Sequence, residues 1–269
     1  MGGLFDIDGP LFSALTDIMV LVVLNLLTLL CSIPIFTAGA AFSALHYTVI
    51  KMKKGKAGLY KMFLREFKNN LKTMTASWLI LLFFALFLLF DYWILFKLDA
   101  KTAVVKGMFF FVYLAMFLWI AIFVWIFPYG ACFVNSTKNN FRNAFLLAVG
   151  KIPRTLIMMA LNLVIPLVLV FSMNLIPLFI AFGFSMPAYL SSFAYDNVLG
   201  PMVKKAKIAA GLSIDDDEDW KNPDENDPSE KNPCVKNSND KEADVKDSNV
   251  KNSKEKESDR KNLSEKEFK

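Results

Sequence analysis

The sequence predicts an all-α fold: a polytopic membrane helical bundle of six, alternatively five, transmembrane helices over residues 1–212, followed by a disordered charged tail over residues 213–269. Three observations predict it. The first part contains several apolar runs close to the roughly 20 residues that cross about 30 Å of hydrocarbon at 1.5 Å per residue. Cationic side chains gather in alternate loops between those runs. Charge also divides after Leu212: 18 Lys+Arg against 7 Asp+Glu (net +11) before it, 12 against 18 (net −6) after it, which together give the formal +5. Runs of this length exclude a soluble enzyme and a nucleic-acid-binding domain, so the first partner is a lipid bilayer and no nucleic acid is expected.

The opening MGGLFDIDGPLFSALTD carries no Lys or Arg, so it lacks the basic region of a cleavable signal peptide, and the first apolar run is expected to remain. Phe5 and Asp6 make Gly2 a poor myristoylation site. Residues 18–35, 74–96, 107–129 and 156–173 read as spans. Residues 177–195 form a fifth, turning back tightly after Asn174 with Pro177 at the start of the returning helix. Residues 36–52 are short and rich in small side chains; we read them as a spanning helix packed through that face, the alternative being a re-entrant piece sheltered by neighbours.

Short loops that keep Lys and Arg lie on the cytoplasmic side. Eight cations fall between Lys51 and Lys72, four between Lys138 and Arg154, and three at Lys204, Lys205 and Lys207, which leaves Lys97, Lys101 and Lys106 opposite. The expected orientation therefore has the carboxyl terminus inside, in the cytoplasm. Six spans put both termini inside; five move only the amino terminus out.

In the first basic loop Tyr60, Phe63, Leu64, Phe67 and Leu71 recur at helical spacing, with Lys61, Arg65, Lys68 and Lys72 on other faces. That pattern predicts an interfacial amphipathic helix whose cations meet the membrane surface. A weaker copy follows the fourth span, where Phe141, Phe145 and Ala148 lie beside Arg142. The openings Gly39-Ala40-Ala41-Phe42 and Gly130-Ala131-Cys132-Phe133 suggest hairpins repeated in one orientation. Trp93, Trp119, Trp125 and Tyr129 read as interface anchors. The tail, with its run Asp215 to Asp219 and near-repeats such as Val235-Lys236-Asn237-Ser238, is too polar to bury a core.

Residues for catalysis are scarce. His46 is the only histidine, Glu66 the only glutamate before Leu212, and the 3 cysteines include no CxxC pair, so no metal site, cofactor or catalytic residue is assigned and no enzyme is expected. Asn25, His46 and Asn162 are the candidate polar lining of a path, against the plainer role of interhelical hydrogen bonding.

Asn25-Leu26-Leu27, the stretch Cys31-Ser32-Ile33-Pro34-Ile35-Phe36-Thr37-Ala38-Gly39-Ala40-Ala41-Phe42, and Phe63-Leu64-Arg65-Glu66-Phe67 together resemble the YesL-like bacterial integral membrane proteins, most densely over residues 20–80. The resemblance implies a multi-pass protein of the bacterial cytoplasmic membrane, encoded near sugar importers and polysaccharide-degrading enzymes, with no catalytic residues. The expectation is a non-enzymatic accessory or regulatory component of carbohydrate uptake or polysaccharide use, with a carbohydrate importer or membrane sensor as partner. The alternative is a small transporter or channel between the helical hairpins.

Overall fold

A computed structural model describes residues 10–55, 57–97, 103–171 and 173–209. The tail over residues 213–269 and the segment before Pro10 lie outside the described residues. All the elements described are helical: α1 (Pro10–Cys31), α2 (Ala38–Lys53), α3 (Leu59–Lys97), α4 (Ala103–Cys132), α5 (Thr137–Gly150), α6 (Ile152–Phe171), α7 (Ile176–Phe182) and α8 (Ser185–Ala209). The chain divides into residues 1–203 and 204–269, and of the second unit only the last turns of α8 are described.

Pro34 ends α1 because it lacks an N–H and disfavours a helical residue before it. A 3-10 turn, Ile35–Thr37, follows, and Thr37 Oγ1 donates toward the carbonyls of Cys31 (2.6 Å) and Pro34 (2.8 Å), satisfying oxygens that the helix end leaves over. Helix α2 then lies at the centre of its neighbours, with Ala40, Ala41, Ala44 and Val49 wholly buried. Its small side chains permit approach on every side. Gly55 and Gly58, both at φ +69°, reverse the chain into α3.

Helix α3 runs 39 residues without a break, about 58 Å at 1.5 Å per residue. The interfacial helix expected over residues 60–72 is therefore not a separate element but the first third of the helix that continues into the span. Helix α5, by contrast, is separate from α6.

Two glycines set the register. A Cβ on Gly39 would fall 2.4 Å from Trp78 Cβ and 2.6 Å from the Met74 carbonyl, and one on Gly130 would fall 2.5 Å from Met74 Cε. The first turn of α2 and the last turn of α4 thus close on α3 at Met74–Trp78. Farther along, Lys51 bears electrostatically on Glu66, so α2 runs antiparallel beside residues 59–78 of α3. The two Gly-Ala openings consequently do not mark equivalent hairpins: Gly39 opens a helix and Gly130 closes one.

The buried stripe of α3 follows from that register: Met62, Phe63, Glu66, Asn70, Met74 and Ser77 face inward, while Phe83, Phe87, Phe90 and Phe96 of its second half are exposed. That second half pairs with the start of α4, where the Tyr92 ring meets Phe109 at 6.3 Å and Tyr113 at 6.2 Å.

Four helices are long and apolar enough to cross a membrane, in the ranges Ala14–Cys31, Leu59–Lys97, Val104–Cys132 and Ile152–Phe171. The pair α7 and α8, bent by 49°, makes a fifth if it counts as one span. Helix α2, with 16 residues, reaches only about 24 Å, and its surroundings are protein. The run 177–195 is thus broken rather than continuous, although Pro177 does sit in the first turn of α7. Trp125 and Tyr129 are fully buried in protein rather than facing outward, and Trp119 donates to the Leu81 carbonyl at 3.0 Å; Trp93 is the exposed member of the expected anchors.

The close approach at Gly39 predicts that Gly39→Leu lowers stability in mild detergent by about 3 kcal/mol or prevents folding. Gly107, whose Cβ would meet nothing within 4 Å, should accept alanine with no loss and a gain of up to about 1 kcal/mol. Thermal unfolding of the two purified variants separates these outcomes.

Candidate functional site

The interior polar residues form two groups. The first surrounds Asn25, which is fully buried. Its Nδ2 donates to the carbonyls of Phe179 (3.2 Å) and Ile180 (2.7 Å), and its Oδ1 accepts from the backbone N–H of Phe184 (2.8 Å) and Ser185 (3.0 Å). One amide has two donors and two acceptor lone pairs, and all four are used. The groups it meets are the carbonyls of Phe179, which also accepts the Gly183 N–H at 2.7 Å, and Ile180 in α7, and the N–H groups of Phe184 and Ser185 where α8 begins. Gly183 allows that break, since a Cβ there would lie 2.5 Å from the Phe179 ring.

The second group lies around the second half of α2. His46 Nδ1 is 3.2 Å from Tyr195 Oη, with both residues buried. Lys53 pairs with Asp196 and also stands 4.0 Å from the centre of the Phe193 ring. Across α2, Glu66 is fully buried: Asn70 Nδ2 donates to its Oε2 at 3.3 Å, and Arg65 Nε stands 3.9 Å from Oε1. Burial pushes the Glu66 carboxyl up from the usual carboxylate range, and the nearby charges of Arg65 and Lys51 offset only part of that cost.

Two further side chains tie the ends of α4, α5 and α6 together. Tyr129 Oη accepts from Asn135 Nδ2 (2.9 Å) and Asn143 Nδ2 (2.7 Å). Thr155 Oγ1 accepts from Trp125 Nε1 (2.9 Å) and donates toward the carbonyls of Ala148 (2.9 Å) and Lys151 (3.1 Å).

The three residues expected to line a path are not joined by any of these bonds. Asn25 holds the α7–α8 break. His46 meets α8 at Tyr195, ten residues beyond Ser185 and therefore about 15 Å along that helix. Asn162 donates to its own helix, at the Met158 carbonyl, 2.9 Å away. The four cations expected at the membrane surface, Lys61, Arg65, Lys68 and Lys72, are exposed; their spacing of four, three and four sets them along one stripe opposite Glu66. Sequence reasoning missed Tyr195, Asn70 and Thr155 as interior ties, and the part of Tyr129 as an acceptor for two asparagines, because an isolated Tyr, Asn or Thr in an apolar run has no distinctive spacing. The pairing of Lys53 with Asp196 had one usable signal, the isolation of that acid within a long acid-free stretch. No group of three metal-ligating side chains occurs among the described residues.

The Asn25 bonds predict that Asn25→Leu lowers stability by about 2 kcal/mol, because two buried N–H groups lose their acceptor. Asn162→Leu, which removes only a bond within one turn, should change it by less than about 0.5 kcal/mol. Thermal midpoints in the same detergent test the difference; equal losses would contradict the assignment.

Residues 21–92 match the model of a family described as a protein of unknown function, DUF624. The match takes in the second half of α1, all of α2 and α3 as far as Tyr92, so it covers Asn25, His46, Lys53, Glu66 and Asn70 but none of their partners on α7 and α8. Among the curated proteins and the solved structures, no match is found.

Proposed function

We propose that this chain is a multi-pass protein of the bacterial cytoplasmic membrane that performs no chemistry of its own and serves as an accessory or regulatory component for a membrane partner. The observation that carries this reading is where the polar groups are used. Asn25 spends all four hydrogen-bonding sites on the α7–α8 break, His46 faces Tyr195, and Asn162 bonds its own helix. A transporter needs interior polar groups left for its cargo. Exposed charge, by contrast, concentrates in the stripe Lys61, Arg65, Lys68 and Lys72, a suitable surface for a partner. The resemblance of residues 20–80 to YesL-like proteins favours a carbohydrate importer or a membrane sensor as that partner.

The topology we infer has five crossings: α1, the second half of α3, α4, α6 and the bent α7–α8 pair. Helix α2 lies beside the cation-bearing half of α3, so it sits at the cytoplasmic end of the bundle rather than through the hydrocarbon, and α1 then begins outside. Labelling of single cysteines in a Cys-free background tests this: Asp8→Cys and Asp99→Cys should react from outside, and Lys56→Cys and Lys138→Cys only after permeabilisation. Protection of Asp8→Cys until permeabilisation would restore six crossings.

The partner is tested by mild crosslinking in native membranes and purification of the chain. We expect a reproducible membrane-protein companion that is lost on Lys61→Glu/Arg65→Glu; a chain that always emerges alone overturns the accessory reading. The break between α7 and α8 favours one second reading, transport, since broken helices line substrate sites in transporters. Reconstituted flux abolished by Asn25→Leu in a protein that still folds would establish it.

A further inference from the structure

We propose that α5 is an anionic-phospholipid site, a helix lying in the headgroup region of the cytoplasmic leaflet. The proposal rests on the reading that α4 and α6 cross the bilayer.

Position comes first. Trp125, seven residues before the end of α4, bonds Thr155, three residues into α6. The end of one crossing helix and the start of the next are therefore level, and α5 joins them. Tyr129 holds Asn135, just before the start of α5, and Asn143 at its middle, while Thr155 holds Ala148 in its last turn, so the helix is tied near that level along its length. A helix joining two crossing helices at one level lies along the surface that both leave.

Its faces come second. Asn140, Ala144 and Ala148, at helical spacing, are the buried residues of α5. The opposite side exposes Phe145 (44%), Leu146 (56%) and Val149 (48%), and Ile152 at the start of α6 continues it (54%). Large side chains outward and alanines inward is the reverse of a water-facing helix, and matches one whose outer face meets acyl chains.

Charge comes third. Lys138, Arg142 and Lys151 are exposed and Arg154 is half-buried. None of the four has an ion-pair partner among the described residues. Between Asp99 and Asp196 the sequence contains no acidic residue, so nothing on α4, α5 or α6 balances them. A neutral lipid offers them no net counter-charge, whereas phosphatidylglycerol does, at a gain of up to about fivefold in association per cation.

The test uses the full chain reconstituted in phosphatidylcholine bilayers that contain a trace of spin-labelled phosphatidylcholine or phosphatidylglycerol. The motion-restricted fraction gives the relative association of each lipid. We expect a preference for phosphatidylglycerol of about fivefold or more, falling to about twofold or less in Lys138→Gln/Arg142→Gln/Lys151→Gln/Arg154→Gln. Each double variant, Lys138→Gln/Arg142→Gln and Lys151→Gln/Arg154→Gln, should show a partial loss, which keeps the test valid if the quadruple variant does not fold. Lys61→Gln/Arg65→Gln, on the part of α3 farthest from the hydrocarbon, should keep the full preference. Equal association of both lipids with the unmodified chain, or a preference undiminished in the α5 variants, overturns the proposal. Motion-restricted phosphatidylcholine in these samples reports the crossing helices independently, so loss of selectivity alone leaves the membrane reading intact.

Discussion

The missing side chain at Gly39 is the constraint on which the arrangement rests. Because the α2 backbone can press against Trp78 and Met74, α2 is held in a fixed register on α3. Every later conclusion about depth uses that register: which part of α3 is sheathed by protein, which part faces outward, and how many helices remain to cross a bilayer. A β-carbon there would force the helices apart where packing is tightest, and close-packed interiors do not absorb such a shift without loss elsewhere.

Polar side chains in this protein act mainly as structural ties. Asn25 replaces the hydrogen bonds that α7 and α8 forfeit at their bend, Thr155 and Tyr129 hold α5 across two helix ends, and Lys53 with Asp196 joins α2 to α8. In a medium without water each unmet donor or acceptor is expensive, so a broken helix persists only where such a group stands ready. The bend near Gly183 is thus a joint effect of a distant asparagine and a local glycine.

Much of the architecture was legible in the sequence. Long runs of Leu, Phe, Ile and Val announce helices that can cross a membrane, and Pro177 marks the start of α7, because both signals are local. The centrality of α2 was not legible. Its Ala, Gly, Ser and Thr residues suit a short crossing helix and an enclosed one equally, and its enclosure by neighbours shows only once Gly39 is seen against Trp78. The partners of Trp125 and Tyr129 were hidden for a related reason: aromatic residues near the end of a run suggest a membrane interface, and nothing local shows that each finds hydrogen-bond partners inside the protein, Thr155 and two asparagines. The break within residues 177–195 was hidden because the residue that sustains it lies about 155 positions earlier in the chain.

The continuity of α3 has a mechanical meaning. A single rod joins the lysine-bearing end near Lys61 to the aromatic tip near Trp93, with no proline between them to act as a joint. The packing at Met74 and Trp78, near its middle, divides the rod: before it protein sheathes one face, beyond it aromatic side chains stand outward, so one unbroken helix carries two different surroundings along its length.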